Sequence, residues 1–193
     1  MNSDIILSHI NEYVRLDEAE TEALTSVLIS RPYKQGELIV RSGEPARYMM
    51  YVNTGYLMTY YTDKDGSDRV IQLAGGGWWS GDIFSLTNES STLYSTKGLC
   101  SGEALLLPRL AQQHLLEKYV VFERYFRILF QYYLIRQQMR FVEAYSTPAE
   151  ERYETFVNKY PDVEKHVPQK YIASYLGITP EFLSKLRKRS LRR

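Results

Sequence analysis

Short segments with the composition of β-strands fill the chain between Tyr33 and Leu107. They are rich in β-branched or aromatic residues and lie at 38–40, 48–52, 56–61, 70–73 and 104–107. Glycine-containing breaks separate them, and Asp65-Gly66 has the sequence of a tight hairpin turn. Short strands repeated in this way are typical of a β-sandwich or a β-barrel. We therefore expect this part of the chain to form an all-β domain.

Helical patterns flank the strands. On the N-terminal side, Asp17 and Glu20 have the spacing of a capping box, and Arg31-Pro32 predicts the end of that helix. On the C-terminal side, a helix is predicted between the cap residues Ser146-Thr147 and Tyr160-Pro161. The β segments therefore lie between helical ones, which indicates an α+β architecture.

The run from Leu115 to Tyr145 contains neither proline nor glycine and predicts one long helix. Its apolar residues form two stripes, which predicts two partners: the β domain of the same chain and a second copy of the helix. A helix buried in the core of a monomer is the alternative. The residues predicted for the dimer helix are Phe122, Phe126, Leu129, Phe130, Tyr133 and Gln137.

The stretch from Val167 to Arg189 has the pattern of two short helices joined by a tight turn. Gly177 suits the end of the first helix, and Thr179-Pro180 suits the start of the second. Phe182, Leu183 and Leu186 form the apolar stripe of the second helix. This layout is typical of a helix-turn-helix, whose second helix enters the major groove of DNA. The residues predicted to contact DNA are Gln169, Thr179, Pro180, Glu181, Ser184, Lys185, Arg187 and Lys188.

The charge distribution agrees with this interpretation, although the net charge of +1 alone does not. From Lys185 onward the chain contains no acidic residue, which indicates a basic surface confined to one face. Lys185 can donate to guanine, and Glu181 can accept from the amino group of cytosine. A solubilising basic tail and an ordinary solvated helix face are the alternatives.

Other classes of protein have less support in the sequence. His9, His114 and His166 lie far apart, which disfavours a metal site and an enzyme of the β-barrel metal-dependent class. The single cysteine, Cys100, excludes an intramolecular disulfide and suits a reducing compartment. No signal peptide or uncharged apolar span is recognised, so we expect a cytoplasmic protein that is not an enzyme and has no membrane partner.

Several short motifs occur in an order that resembles the cyclic-AMP receptor protein / fumarate-nitrate regulator (Crp/Fnr) family of bacterial transcription factors. Glu181, Ser184 and Lys185 resemble the Glu-x-x-Ser-Arg pattern with which that family reads base edges, with lysine in place of arginine. The other matching pieces are Lys34-Gln35-Gly36-Glu37-Leu38-Ile39, Asn53-Thr54-Gly55, Asp65-Gly66, Ser80-Gly81-Asp82-Ile83, Ile172-Ala173 and Leu176-Gly177-Ile178-Thr179.

The resemblance implies an architecture and a set of partners. The fold would be α+β: an N-terminal β-roll (a double-stranded β-helix of the cyclic-nucleotide-binding type), a long dimerisation helix and a helix-turn-helix domain. The corresponding ranges are 1–114, 115–145 and 146–193. The implied partners are a second copy of the chain, double-stranded DNA with a pseudo-palindromic operator, and RNA polymerase.

Two departures from the family pattern bear on function. The family's β-hairpin wing is expected to be absent or vestigial, because residues 160–167 leave no space for strands and the chain ends at Arg193. The nucleotide pocket also looks incomplete. Its predicted residues are Ser80, Gly81, Asp82, Ile83, Thr92 and Leu93.

In the family, an arginine of this pocket pairs with the cyclic phosphate. The corresponding stretch here, residues 92–95, has none, and only Lys97 lies nearby. Removing the partner of a buried charge costs several kcal/mol. We therefore expect no tight binding of cyclic AMP and no cofactor. Trp78, Trp79 and neighbouring tyrosines either enclose an unknown small-molecule effector or fill the core.

The predicted function is that of a homodimeric, sequence-specific transcriptional regulator of the Crp/Fnr type. Its DNA half-sites are expected to lie ~34–36 Å apart, about one turn of the double helix. A cyclic-nucleotide-binding module that acts on a protein partner is the alternative, and a metal-dependent enzyme is a weaker one.

Overall fold

The computed structural model describes residues 2–190, so Arg192 and Arg193 of the predicted basic tail lie outside the described residues. Helices α1 (Asp4–Asn11) and α2 (Glu18–Val27) precede the β domain. The capping box of α2 is confirmed: Asp17 Oδ1 accepts from the Glu20 N–H at 2.8 Å, and Glu20 Oε2 accepts from the Asp17 N–H at 2.9 Å.

The predicted end of α2 at Arg31-Pro32 is wrong. Both residues belong to a strand, β1 (Ile29–Tyr33), which pairs with the last strand of the domain. Proline has no backbone N–H and therefore cannot donate a hydrogen bond to a neighbouring strand. An edge strand tolerates this loss, and β1 is an edge strand with one partner. A helix-ending signal and an edge-strand proline therefore look alike in the sequence.

The β domain consists of two antiparallel four-stranded sheets, with the strand orders β1-β8-β3-β6 and β2-β7-β4-β5. The remaining strands are β2 (Leu38–Val40), β3 (Tyr48–Thr54), β4 (Leu57–Thr62), β5 (Asp68–Ala74), β6 (Trp78–Ser80), β7 (Ser95–Gly98) and β8 (Gly102–Pro108). A short helix, α3 (Ile83–Asn88), connects β6 to β7. All the predicted strand segments are confirmed.

The hairpin predicted at Asp65-Gly66 is also confirmed. It joins β4 to β5, with Thr62 opposite Asp68. The N–H of Gly66 donates to the carbonyl of Asp63 at 3.0 Å, and Gly66 has a φ of 77°. A positive φ is cheap only for glycine, which explains why this residue ends the turn.

The long helix predicted from Leu115 to Tyr145 is two helices. Leu115 lies in α4 (Arg109–Lys118), and α5 (Val120–Ser146) begins after a break at Tyr119, whose φ and ψ are −128° and 108°. The break changes the helix direction, so that Leu115 and Phe122 both enter the same core. The helical run is thus interrupted so that both side chains can pack in the core. The sequence does not predict this break, because the run contains no proline or glycine.

Four helices complete the described chain: α6 (Ala149–Lys159), α7 (Val163–His166), α8 (Gln169–Leu176) and α9 (Pro180–Ser190). The predicted cap of α6 is wrong, because Pro148 occupies the N-cap position and the hydroxyl of Ser146 donates to the Val142 carbonyl within α5. Among residues 2–190, no strand follows β8. None of the helices in the same range is long and apolar enough to cross a membrane.

Three apolar cores organise these elements, and the third consists of strand residues from both sheets, such as Met50, Leu57 and Leu106. The first joins α1, α2, α4 and α5 to one sheet and includes Phe122, Tyr125 and Phe126. The second joins strand residues such as Met58 and Val70 to the C-terminal helices. Its helical members are Tyr153, Phe156, Val163, Val167, Ile172, Ala173, Leu183 and Leu186. The helix-turn-helix is therefore packed directly against the β domain.

Candidate functional site

The helix-turn-helix has the local geometry that its sequence predicts. Gly177 ends α8 in the left-handed conformation with a φ of 69°. The hydroxyl of Thr179 accepts from the Phe182 N–H at 3.2 Å and so caps α9. Leu183 and Leu186 are buried against α8, which orients the opposite side of α9 towards solvent. The prediction that Phe182 belongs to the apolar stripe is wrong, because its side chain is 40% exposed.

The exposed side of α9 carries most of the residues predicted to contact DNA. Pro180, Glu181, Lys185 and Lys188 are exposed, and Ser184 is half-buried. Hydrogen bonds from its own backbone N–H and from the Thr179 hydroxyl lower the pKa of Glu181. The Glu181 carboxylate is therefore ionised near neutral pH and can only accept hydrogen bonds. Thr179 and Gln169, at the starts of the two helices, are exposed on the surface as well.

Arg187 differs from the other predicted DNA contacts. Its Nε lies 3.0 Å from Glu164 Oε1 of α7, and the same oxygen accepts from the Tyr153 hydroxyl at 2.8 Å. The arginine therefore holds α9 against α6 and α7. Its charge thus has a partner inside the domain, and its role as a DNA contact stays a prediction.

The residues of the predicted nucleotide pocket come together, but their polar groups are already paired. Asp82 Oδ1 accepts from the Ser85 N–H at 3.2 Å, and Asp82 Oδ2 accepts from the Thr92 hydroxyl at 2.6 Å. Ser80 is buried and hydrogen-bonds Thr59 at 3.2 Å. Gly81 lies between these groups, whereas Ile83 and Leu93 are 37% and 75% exposed at the surface.

The same region does not fit a cyclic phosphate. The Lys97 ammonium lies 3.2 Å from Asp68 Oδ2 and 4.4 Å from the centre of the Tyr60 ring, so its charge is engaged elsewhere. Residues 80–83 and 92–95 contain no cation. A buried phosphate would then lack a charge partner, which is costly in a region of low dielectric.

The dimer-helix residues divide into two groups. Phe122 and Phe126 are buried, and Leu129 and Phe130 pack against the same core. The prediction of Phe122 and Phe126 as a dimer face is wrong, because both side chains are buried in the core of their own chain, whereas Leu129 and Phe130 are only partly buried. Tyr133 and Gln137 lie further along α5 and line a cavity.

A neighbouring stripe of α5 is apolar and exposed, and two of its residues, Tyr132 and Met139, also line the cavity. Tyr132, Ile135, Met139 and Val142 are 57%, 53%, 55% and 54% exposed, and we call these four residues the seam. Their spacing alternates between three and four residues, which places them on one narrow stripe of a helix. This alternation is visible in the sequence, but the aromatic stripe that includes Phe122 and Phe126 gives a stronger apolar pattern on the same helix.

A cavity of about 710 Å³ lies between β5, β6, α5 and the C-terminal helices. Trp78 lines it, together with Tyr160 and Tyr175 from the helix-turn-helix domain. The buried Trp79 also reaches its wall, but its indole N–H donates to the Tyr125 hydroxyl at 2.7 Å, so it chiefly fills the core. Four cationic side chains line the cavity as well: Arg136, Arg140, Arg152 and Lys159. The sequence contains no local motif that predicts this group of cavity-lining residues, because they come from separate parts of the chain.

Comparison with known proteins identifies the β domain. Residues 30–119 match the family model of the cyclic nucleotide-binding domain. The β domain is thus similar in sequence to this domain family. The paired Asp82 and the missing arginine are therefore departures within a fold that is named for its nucleotide ligand. No protein of curated function matches the chain in sequence.

Solved structures with this domain extend the similarity over most of the chain. FixK2 from Bradyrhizobium japonicum is 21% identical with a TM-score of 0.71, and 84% of each chain is covered. A putative Crp/Fnr-family transcriptional regulator from Eubacterium rectale is 14% identical with a TM-score of 0.68, covering 92% of this chain and 85% of that one. The c-di-GMP-responsive global regulator CLP of Xanthomonas campestris is 16% identical with a TM-score of 0.67, with 91% and 92% covered.

Of these neighbours, the Eubacterium rectale protein is described as a putative transcriptional regulator of the Crp/Fnr family, and CLP as a global regulator. The cyclic nucleotide-binding domain, the long helix and the following helices of this chain have the Crp/Fnr fold. The predicted resemblance and fold class are thus confirmed, and the predicted lack of a full wing stays a prediction.

Proposed function

We propose that the chain is a homodimeric transcriptional regulator that binds a specific DNA sequence through α9. The observation that carries this proposal is the two-sided character of α9. Leu183 and Leu186 are 0% and 2% exposed, whereas Glu181, Lys185 and Lys188 point to solvent on the other side. A recognition helix needs this arrangement, because one side must hold the domain together while the other enters the major groove.

The exposed side chains of α9 divide between base reading and phosphate binding. Lys185 can donate to O6 or N7 of guanine, and the ionised Glu181 can accept from N4 of cytosine. Lys188 and the exposed N-terminus of α9 at Thr179 are placed for phosphate oxygens. Such phosphate contacts fix the register of the protein on DNA but carry no sequence information.

The seam on α5 supports a dimer. Four apolar side chains that are each more than half exposed form one stripe of the helix. Burying this stripe against a second α5 would follow coiled-coil geometry and would release water from all four side chains. A two-fold dimer would also place two copies of α9 for the halves of a pseudo-palindromic operator.

The proposed organisation keeps the three units expected from the sequence. Residues 1–114 act as the sensor, 115–145 as the dimerisation segment and 146–193 as the DNA-binding domain. The sensor would respond to a small molecule other than cyclic AMP, since Asp82 and Thr92 pair with one another. The neighbour CLP is described as responsive to c-di-GMP. RNA polymerase is a further proposed partner, as in transcriptional regulation generally.

The proposal is tested by selecting DNA sites from a random library with the full-length chain and then measuring variants on the selected duplex. Lys185→Ala and Glu181→Ala should each weaken binding by about 5- to 150-fold, the range for one base contact of 1–3 kcal/mol. Lys118→Ala, which removes an exposed lysine at the end of α4, is the charge-matched control. Unchanged binding by both α9 variants would refute the assignment.

A further inference from the structure

The cavity between the β domain and the helix-turn-helix is continuous with the predicted nucleotide pocket and extends beyond it. Ser80, Gly81 and Ile83 line one end of the cavity, and its opposite wall includes Tyr160, Tyr175 and the second half of α5. A volume of about 710 Å³ is large enough for a small organic ligand. A ligand at this position would contact the sensor and the DNA-binding domain at once.

The cavity has an excess of positive charge. Four cations line it, whereas Glu143 is the one acidic residue among the described lining residues. Within residues 2–190, none of the four cations forms an ion pair. Like charges that share a concave, partly apolar surface raise the local potential and favour an anion.

Two of these cations are fixed by backbone carbonyls. Arg140 donates to the carbonyls of Ile71 and Tyr175 at 2.7 and 3.0 Å. Arg152 donates in the same way to the carbonyls of Thr147 and Leu176 at 2.7 and 3.1 Å. Carbonyl oxygens orient a guanidinium but do not neutralise it, so both side chains keep their full charge beside the cavity.

The other lining groups are aromatic and stack with the cations. The Arg136 guanidinium lies 4.7 Å from the centre of the Trp78 ring, and the Tyr160 ring meets Trp78 edge-on at 5.2 Å. Arg140 lies 4.0 Å from the centre of the Tyr175 ring. Phe130 and Tyr133 line the same space. Flat aromatic and guanidinium surfaces are suited to a planar ring more than to an aliphatic chain.

We propose that this cavity binds a small aromatic anion, namely a planar ring with one acidic group. The ring lies against Trp78 and Tyr160, and the acidic group faces Arg136. Arg136 is exposed and its guanidinium stacks on the Trp78 ring, and within residues 2–190 it forms no ion pair, so its N–H groups are available to the ligand. Arg140 and Arg152 add to the positive potential from their fixed positions.

The proposal is tested with the full-length chain and the fluorescent aromatic anion anilinonaphthalene sulfonate. We expect saturable binding of one dye per chain. Arg136→Gln should weaken it by about tenfold, as expected for loss of one charge-assisted contact of about 1.4 kcal/mol. Arg127→Gln is the matched control, since Arg127 lies on the same helix, contacts Gln131 and does not line the cavity.

Further probes distinguish the contribution of the acidic group to binding from that of the aromatic ring. The neutral analogue phenylnaphthylamine should bind Arg136→Gln and the wild type equally, because it has no acidic group. Hexanesulfonate, an aliphatic anion, should fail to displace the dye at concentrations at which naphthalene sulfonate displaces it.

Three results would overturn the proposal. The first is equal dye affinity of Arg136→Gln and the wild type. The second is displacement by hexanesulfonate as effective as by naphthalene sulfonate. The third is a pair of outcomes: Ile135→Glu, in the seam, abolishes dye binding, whereas Arg136→Gln does not. This pair would place the dye on the exposed face of α5. None of these results depends on DNA binding.

Discussion

The hydroxyl of Ser174 accepts a hydrogen bond from the backbone N–H of Val70 at 3.0 Å and donates one to the carbonyl of Asp68 at 3.1 Å. Ser174 belongs to α8 of the helix-turn-helix, and Val70 belongs to β5, an edge strand of its sheet. An edge strand leaves backbone groups unpaired, and here α8 covers them. Helix α8 is therefore attached to the β domain through the backbone of β5.

Ser174→Ala should loosen this contact. Two backbone groups of β5 would lose their partner, so we expect the free energy of unfolding to fall by about 1–3 kcal/mol. Hydrogen exchange at the Val70 amide should also become faster. Ser184→Ala, on the exposed side of α9, should change the stability by less than about 0.5 kcal/mol. Unaltered exchange at Val70 would show that the contact does not hold the domains together.

Ile135→Glu should dissociate the dimer. It would place a charge in the middle of the seam, where burial against a second α5 leaves it without a partner. We expect sedimentation of the wild type as a dimer and of the variant as a monomer at micromolar concentration. Leu134→Glu is the matched control, because Leu134 is 58% exposed but lies outside the seam. A wild-type monomer, or dissociation of both variants, would contradict the assignment of the seam.

His9 should make the stability dependent on pH. Burial lowers the pKa of His9 below its ordinary value of 6.5, against a smaller opposing effect of Glu12. His9 Nδ1 also lies 3.0 Å from the Tyr125 hydroxyl in the core. The unfolded chain therefore takes up a proton at this histidine before the folded chain does, and stability is lost as the pH falls through and below 6.5.

The measurement is chemical unfolding between pH values of about 7.5 and 5.5, on either side of the ordinary histidine pKa. Other groups contribute to the wild-type profile, so the difference between the wild type and His9→Gln is the relevant quantity. The loss of stability towards low pH should be smaller in His9→Gln. Parallel profiles for the two proteins would show that His9 does not contribute.

Cyclic AMP should not bind in the β domain. Asp82 is already paired with Thr92 and the Ser85 N–H, and the pocket residues supply no cation for the phosphate. We expect calorimetric titration to show no saturable binding up to about 1 mM ligand, which corresponds to a binding free energy weaker than about −4 kcal/mol. Stoichiometric binding at micromolar concentration would refute this prediction.

The elements that could be predicted from the sequence are those with strong local signals. Asp17 and Glu20 specify the start of α2, Gly66 specifies a hairpin, and Gly177 separates the helices of the helix-turn-helix. β7 (Ser95–Gly98) has polar residues and a glycine, so it became a strand only through its pairing with β2 and β4. Tertiary packing thus decided what local propensity left open.

The dimer face and the cavity could not be predicted from the sequence, for a different reason. Phe122 and Phe126 have the spacing of an interface, but spacing does not distinguish burial against the chain's own sheet from burial against a partner. The cavity brings together Trp78 of β6, Arg136 of α5 and Tyr160, which follows α6. Such a site can be recognised only after the fold has placed its members side by side.

The most direct test of the central claim is the dependence of DNA affinity on the spacing of the two half-sites in the selected operator. A two-fold dimer that reads DNA through α9 should prefer half-sites ~34–36 Å apart. Inserting about five base pairs, half a helical turn, should lower the affinity by about tenfold or more, because the second α9 would face the wrong side of the duplex. Affinity that is independent of this insertion, or failure to select any sequence, would contradict the account.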